Sequence, residues 1–221
     1  DYGPCAFLDA YDPATVFSSI DRQGRYAYGS QPGIAHWNLA RLAESLLPAV
    51  RADGEAALDR LRDVFATFPA RFEEAFTAGL RAKLGLLTVE EEDAALGRRL
   101  LDCMQEVRAD FTGTFAVLAD VAAGDRSSAG AATSDAVVPI TSAAFDAWRR
   151  DWLMRLDRQG DRAAAVAAMR RTNPLVIPRN HRVEEALAAA QAGDMAPFER
   201  LVAAVRCRRT CGRGHSRRAA P

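Results

Sequence analysis

The sequence predicts a mainly α-helical protein, and three observations support this fold class. Apolar residues recur at helical spacing in one segment after another, strand-like alternation is scarce, and the helical segments are rich in alanine. The chain has 221 residues, of which 49% are hydrophobic. This is enough apolar material for the core of a globular protein.

The first three predicted helices occupy the N-terminal third of the chain. The first begins after Gly33 in IAHWNLARLAESLL, where Trp37 and Leu42 contribute to one apolar face. We expect Pro48 to end this helix, because proline lacks the backbone N–H that the helix interior needs. The next two helices lie in GEAALDRLRDVFATF and ARFEEAFTAGLRAKLGL, with Pro69 ending or kinking the earlier one.

Two more helices are predicted in TVEEEDAALGRRLLDCMQEVRADFTGTFAVLADVA. Thr88 is the expected N-cap, and Glu91 follows at the spacing of a capping box. The acidic run from Glu90 to Asp93 then falls in a first helical turn, where carboxylates offset the helix dipole. The run therefore needs no bound metal to explain it.

A linker is predicted near residues 123–140, where small and polar residues accumulate. After it, the aromatic residues Phe145, Trp148 and Trp152 share one face of a helix with Leu156. Such a stripe could stack nucleic-acid bases, but no basic groove accompanies it in the sequence. We interpret it as a core face.

The C-terminal part of the chain contains three further predicted helices and a tail. The helices lie in DRAAAVAAMRRT, in the proline-bounded NPLVIPRNHRVEEALAAA and in DMAPFERLVAAV. The tail, residues 206–221, has six arginines and no acidic residue, which predicts disorder. Cys207, Cys211 and His215 within it would give a zinc ion three ligands, and a fourth is missing.

Charge and cysteine content exclude several classes of protein. The 29 basic and 29 acidic residues cancel, so no overall charge favours nucleic acid or an anionic membrane. Binding of nucleic acid through the arginine-rich tail ranks last among the functions considered. No apolar run reaches the roughly 20 residues that cross a bilayer, and four cysteines are too few for a disulfide scaffold. These features predict a cytoplasmic bacterial protein.

Lys83 is the single lysine of the chain. A lysine that grips nucleotide phosphates would have to be this residue. Lys83 lies within a predicted helix, however, and a place on the helix surface is the favoured interpretation.

Three stretches identify the family that this sequence resembles: DYGPCAFLDAYDP, DRQGRYAYGSQPGIAHWNLARLAESL and NPLVIPRNHRVEEAL. Together they resemble the selenoprotein O (SelO) family, which are protein adenylyltransferases with a protein-kinase-like fold. The resemblance extends from Asp1 to about Val205. It implies that the helices form the larger, C-terminal lobe of a kinase-like (pseudokinase) fold, without the smaller N-terminal lobe.

The resemblance also divides the chain into functional parts. Residues 1–32 would hold a metal-binding Asp-Tyr-Gly element and a loop like the activation segment of kinases. Residues 33–205 would be the helical lobe, and residues 206–221 the tail. We call residues 1–32 the opening segment below.

Asp1 is the one site residue that the resemblance assigns. It matches the kinase aspartate that holds Mg²⁺, or Mn²⁺, on the phosphates of ATP, so Asp1 would be both the metal ligand and the cofactor-binding residue. Gly3 would supply the backbone freedom for the turn. Asp21, Arg22 and Arg25 are expected to order the loop rather than to contact the nucleotide.

The implied reaction is the transfer of AMP from ATP to Ser, Thr or Tyr hydroxyls of protein substrates. The family's catalytic aspartate, metal-binding asparagine and phosphate-binding lysine come from sequence that precedes the Asp-Tyr-Gly-Pro element. No catalytic residue is therefore assigned within this chain, and the isolated fragment is expected to be inactive. The alternative is a non-catalytic helical interaction module.

Overall fold

The computed structural model describes residues 6–51, 54–124, 140 and 142–206. Within these ranges the chain is mainly helical, with one isolated antiparallel bridge between Ala10 and Asp110 and no longer strand. The helices are α1 (Gln31–Arg51), α2 (Glu55–Ala66), α3 (Phe68–Leu84), α4 (Asp93–Glu106), α5 (Phe111–Ala122), α6 (Ala143–Arg158), α7 (Arg162–Thr172), α8 (Asn180–Gln191) and α9 (Ala196–Arg206). The predicted helical fold class is confirmed, while the kinase-like lobe stays a prediction.

Two prolines bear on the predicted ends of the N-terminal helices. Pro48 lies inside α1, so the prediction that it ends this helix was wrong. It stands in the last turn, where few helical residues follow and the cost of a missing N–H is limited. Pro69 is the second residue of α3, where a helix tolerates proline because its first N–H groups have no intrahelical partner.

The described chain divides into two compact units. One unit comprises Asp1–Tyr11 with Leu80–Pro221, and the other comprises Asp12–Gly79. The boundary falls within α3. Most of the predicted linker 123–140 and residues 207–221 of the tail lie outside the described residues, as do Cys207, Cys211 and His215.

The first unit contains the larger core. Within it α4 packs with α6, α5 with α7 and α8 with α9. Its fully buried side chains include Leu84, Leu100, Met104, Phe115, Trp148, Trp152, Leu156 and Met169. Both tryptophans also donate indole N–H bonds to backbone oxygens, Trp148 to Leu96 at 2.9 Å and Trp152 to Leu84 at 3.0 Å. The aromatic stripe of α6 is a core face, as predicted.

The second unit is built from a loop, the short 3₁₀ turn Tyr28–Ser30 and helices α1, α2 and most of α3. Its aromatic rings stack along the helices: His36 lies 4.3 Å from Phe65 and 5.2 Å from Phe68, centroid to centroid. Several apolar side chains of α1 and α2 remain exposed, among them Leu42 at 54% and Val64 at 65%.

The start of α4 differs from the prediction. The helix begins at Asp93, with Glu92 as its N-cap residue, so Thr88 is not the cap. The Asp93 carboxylate instead accepts a bond from the Glu90 backbone N–H at 2.9 Å. No helix among the described residues is long and apolar enough to cross a membrane.

Candidate functional site

The predicted metal ligand Asp1 lies outside the described residues, together with Gly3. Its role therefore stays a prediction. Within the part of the chain that the structure describes, no group of three or more His, Cys, Asp or Glu residues is arranged to hold a metal ion.

The opening segment is described from Ala6 onward, and its first part is fixed by backbone hydrogen bonds. The Tyr11 N–H donates to the Ala109 carbonyl at 2.8 Å, and the Phe111 N–H donates to the Asp9 carbonyl at 2.8 Å. These two bonds flank the bridge between residues 10 and 110. The chain that follows the Asp-Tyr-Gly-Pro element is thus attached to the turn between α4 and α5.

Arg179 strengthens this attachment with its side chain. Its Nη1 atom lies 2.6 Å from Asp9 Oδ1 and 2.6 Å from Asp110 Oδ2. The side chain of Asp110 is 6% exposed, whereas those of Arg179 and Asp9 are 23% and 41% exposed. Hydrogen bonding to Asp110, and then to Asp9, raises the pKa of Arg179 above its ordinary value despite partial burial. We call these three residues the Arg179 cluster.

Local sequence explains why Asp110 and Arg179 lie where they do, each at the start of a helix. Asp110 is the N-cap of α5 and accepts a bond from the Gly113 N–H at 2.5 Å, the role for which aspartate is preferred at this position. Arg179 is the N-cap residue of α8 and has extended backbone angles. Pro178 before it disfavours helical backbone at Ile177, so α8 does not extend back through Ile177.

The asparagine of the Asn-Pro-Leu-Val-Ile-Pro-Arg stretch has a structural role in the same region. Asn173 is 4% exposed, and its Nδ2 donates to the carbonyl oxygens of Lys83 at 2.8 Å and Phe115 at 3.3 Å. It thereby joins the end of α3 to α5. Because buried polar groups need partners, the Asn173 amide satisfies both its own hydrogen-bonding capacity and that of the Lys83 carbonyl.

Lys83 lies in the last turn of α3 and is half-buried. The prediction that it belongs to a helix is confirmed, whereas the expected surface position was wrong. Its Nζ lies 3.5 Å from Asn173 Oδ1 and 4.7 Å from the centroid of the Phe115 ring. Burial lowers the pKa of Lys83.

The second part of the opening segment is ordered by Asp21. Its carboxylate accepts backbone N–H bonds from Arg25 at 2.8 Å and Tyr26 at 2.7 Å. The loop-ordering role predicted for Asp21 is therefore confirmed. Gly29 closes the same loop, since its N–H donates to the Pro13 carbonyl at 2.8 Å and a Cβ there would meet that oxygen at 3.1 Å.

Arg25 contacts aromatic rings. Its guanidinium carbon lies 4.6 Å from the Trp37 ring centroid and 5.8 Å from that of Tyr26. Arg41 lies over Trp37 as well, at 5.3 Å. These cation–π contacts fix the loop to α1 within the second unit. Arg22 makes no comparable ring contact among the described residues.

The acidic run from Glu90 to Asp93 binds arginines. Arg155, 2% exposed, donates from Nε to Asp93 Oδ1 at 2.9 Å and from Nη2 to the Thr88 carbonyl at 2.8 Å. Arg158 donates from Nη2 to Glu90 Oε2 at 2.5 Å. Only Asp93 lies in the first turn of α4, so the prediction that the whole run lies in a first helical turn was wrong.

Sequence reasoning missed the Arg179 cluster and the role of Asn173. From the sequence alone, the Asn-Pro and Pro-Arg-Asn-His residues indicate only a resemblance to a family. Their partners lie far away in the sequence, with 170 positions separating Asp9 from Arg179. A single sequence offers no signal that pairs such residues.

Comparison with known proteins places the chain in a family. A family model described as "Protein adenylyltransferase SelO" matches residues 1–206. The chain belongs to the SelO family. This confirms the resemblance on which the assignment of Asp1 depends.

Curated relatives carry the name "Protein nucleotidyltransferase YdiU". The chain is 54% identical over 207 residues to the one from Cereibacter sphaeroides, a match that covers 93% of this chain and 40% of the relative. It is 50% identical over 206 residues to that of Methylorubrum extorquens, covering 91% and 41%. For Brevibacillus brevis the identity is 49% over 204 residues, covering 91% and 39%.

The chain thus spans about two fifths of the length of these relatives, and it corresponds to their C-terminal portion. The names given to the relatives describe whole proteins. For this chain, the activity of the relatives is a proposal, which is argued below.

Proposed function

We propose that this chain is the C-terminal part of a protein adenylyltransferase, which transfers AMP from ATP to Ser, Thr or Tyr hydroxyls of other proteins. The observation that carries the proposal is the family match over residues 1–206. Relatives named as protein nucleotidyltransferases support the same class of reaction. ATP and an acceptor protein are the partners that this reaction requires.

In this proposal the helices of the first unit belong to the larger lobe of a kinase-like fold. The support is the family membership and the helical core around α4, α5, α6 and α7. The opening segment would then correspond to the Asp-Tyr-Gly element and the activation segment, attached to the lobe at Asp9 and Tyr11.

The reaction makes a bond between the acceptor oxygen and the α-phosphorus of ATP, and it breaks the bond between that phosphorus and the oxygen bridging to the β-phosphate. Pyrophosphate leaves, and the hydroxyl proton passes to a base. We assign no residue of this chain to the base, since the family's catalytic aspartate comes from sequence before the Asp-Tyr-Gly-Pro element. The isolated chain should therefore not transfer AMP.

Asp1 is proposed as a ligand of Mg²⁺ or Mn²⁺. A carboxylate is the oxygen ligand that such hard cations prefer. Asp1 would hold the cation, which would supply positive charge beside the phosphates of ATP. The described residues contain no group of three or more His, Cys, Asp or Glu placed to hold a metal ion. What the chain's own residues do is hold the segment that carries Asp1.

A chimera tests this function. In it, this chain replaces the matching C-terminal portion of the Cereibacter sphaeroides relative, and the unaltered relative serves as the positive control. The chimera is incubated with acceptor protein and ATP labelled in either the α- or the γ-phosphate. We expect the α-label alone on protein, together with release of pyrophosphate. Transfer of the γ-label would indicate a kinase and contradict the proposal.

A helical interaction module is the second candidate. The exposed apolar residues of α1 and α2, including Leu42 and Val64, are the observation that favours it. A chimera without transferase activity, beside an active positive control, would favour this candidate over the enzyme.

A further inference from the structure

The Arg179 cluster connects three parts of the chain that are distant in sequence. Asp9 belongs to the opening segment, Asp110 caps α5, and Arg179 precedes α8. One nitrogen of the guanidinium contacts both carboxylates at 2.6 Å. All three residues belong to the same compact unit.

The pair of Arg179 with Asp9 is better suited to fixing the position of Asp9 than to stabilising the fold. Ion pairs with side chains as exposed as those of Asp9 and Arg179 contribute little to the free energy of unfolding. Charge-assisted hydrogen bonds are short and directional, however, so they restrict the orientation of the groups they join. Because the Asp9 carbonyl also accepts the Phe111 N–H, both the backbone and the side chain of Asp9 are held.

We propose that Arg179 is a positioning residue for the opening segment, acting through Asp9. Asp9 stands eight positions after Asp1, and the chain between them leads directly to the Asp-Tyr-Gly-Pro element. Fixing Asp9 against the capped start of α5 sets the point from which that element extends. The inference rests on the proposed function, since it concerns the placement of a segment that would act on ATP.

The two carboxylates differ in what else they do. Asp110 also accepts the Gly113 N–H and caps α5, so a substitution there would disturb the helix itself. Within the described residues, the Asp9 side chain caps no helix and bonds to Arg179. Asp9→Asn is therefore the cleaner probe of the contact, and it guards against a failure of Arg179 variants to fold.

The experiment uses the chimera defined above and compares Arg179→Gln, Arg179→Lys and Asp9→Asn. The matched control is Arg182→Gln, which removes an exposed arginine three positions further on that pairs only with Glu185 among the described residues. For each variant, kcat and KM for ATP are measured with α-labelled ATP, and amide hydrogen exchange is followed in the peptides around Tyr11 and Phe111.

We expect Arg179→Gln and Asp9→Asn to lower kcat about tenfold to a hundredfold, because small misplacements of reacting groups are costly. KM for ATP should change much less, and exchange should rise at Tyr11 and Phe111. The melting temperature of Asp9→Asn should stay near that of the parent, whereas Arg179→Gln also leaves the buried Asp110 carboxylate without its arginine and should lower the melting temperature. Arg179→Lys should recover part of kcat, since it keeps one positive charge. Arg182→Gln should stay within about twofold in kcat.

Two failures can be told apart. An unaltered chimera that transfers no AMP beside an active relative contradicts the proposed function and the inference that rests on it. An active chimera in which Arg179→Gln and Asp9→Asn behave as Arg182→Gln does overturns the positioning role alone. A loss of kcat that matches the loss of folded protein, with exchange raised throughout, overturns it as well.

Discussion

Arg155 and Asp93 form a buried ion pair in the first unit: Arg155 Nε lies 2.9 Å from Asp93 Oδ1, and each side chain is at most 2% exposed. The same guanidinium contacts Glu90 at 3.0 Å. The pair therefore joins α6 to the start of α4. Because both side chains are buried, removing either one leaves the other charge buried without its partner, which lowers the free energy of unfolding.

Removing one member of this pair should destabilise the protein strongly. Asp93→Ala leaves the Arg155 guanidinium buried without its main partner, and we expect the free energy of unfolding to fall by about 3 to 5 kcal/mol. Urea denaturation followed by circular dichroism measures it. The control is Asp151→Ala, which breaks the exposed pair with Arg99 and should cost at most about 1 kcal/mol. Equal losses for Asp93→Ala and Asp151→Ala would show that burial of the pair does not affect the free energy of unfolding.

Glu90 should make stability depend on pH. Its pKa is lowered, chiefly by the hydrogen bond from Arg158, so the folded state favours the ionised form. The stabilisation is present above the pKa of Glu90 in the unfolded chain, about 4.3, and is lost as the pH falls through the lower folded value. The melting temperature of Glu90→Gln should lie below that of the parent at neutral pH. The difference in melting temperature should vanish at acidic pH. A difference that does not change with pH would contradict the lowered pKa of Glu90.

Gly85 should resist substitution more than another glycine with positive φ. Its φ is +72°, and a Cβ there would lie 2.8 Å from Met169 Cγ and 3.1 Å from the Ala165 oxygen. Gly160 has φ +84° with open space around it. We expect Gly160→Ala to cost about 1 to 2 kcal/mol for the left-handed backbone, and Gly85→Ala about 1 to 3 kcal/mol more through overpacking. Similar unfolding curves for Gly85→Ala and Gly160→Ala would show that the Met169 side chain moves aside at no cost in free energy.

The helical fold could be predicted because its signal is local. The stripe from Phe145 to Leu156 repeats at the helical period, and burial of Trp148 and Trp152 at 0% exposure follows from it. Pro48 and Thr88 show the limit of local rules. Pro48 lies in the last turn of α1, where proline is tolerated. The Thr88 carbonyl accepts a hydrogen bond from Arg155, which is distant in sequence.

Asn173 should be required for stability at the end of α3. Asn173→Ala removes the donors to the Lys83 and Phe115 carbonyl oxygens and leaves a buried region without an amide. We expect the free energy of unfolding to fall by about 1 to 3 kcal/mol. Asn38→Ala, at an exposed position of α1, is the control and should have almost no effect. A neutral Asn173→Ala would mean that these bonds are replaced without cost.

The site could be predicted only in part, and for a physical reason. The loop-ordering role of Asp21 is accessible to prediction, since aspartate side chains commonly accept nearby backbone N–H bonds. Its two acceptor contacts lie within five positions of it. The Arg179 cluster depends instead on the tertiary fold, which brings together residues 9, 110 and 179. Periodicity and motif spacing carry no information on such a contact.

The most direct test of the central claim is to replace Asp1 in the chimera and to measure transfer of AMP from α-labelled ATP. Asp1→Asn keeps the size of the side chain and removes its charge. Asp59→Asn, at an exposed surface pair with Arg62, is the control. We expect Asp1→Asn to lower kcat by about a hundredfold or more and Asp59→Asn to stay within about twofold. An Asp1→Asn chimera as active as the control would contradict the role of Asp1 in an adenylyltransferase.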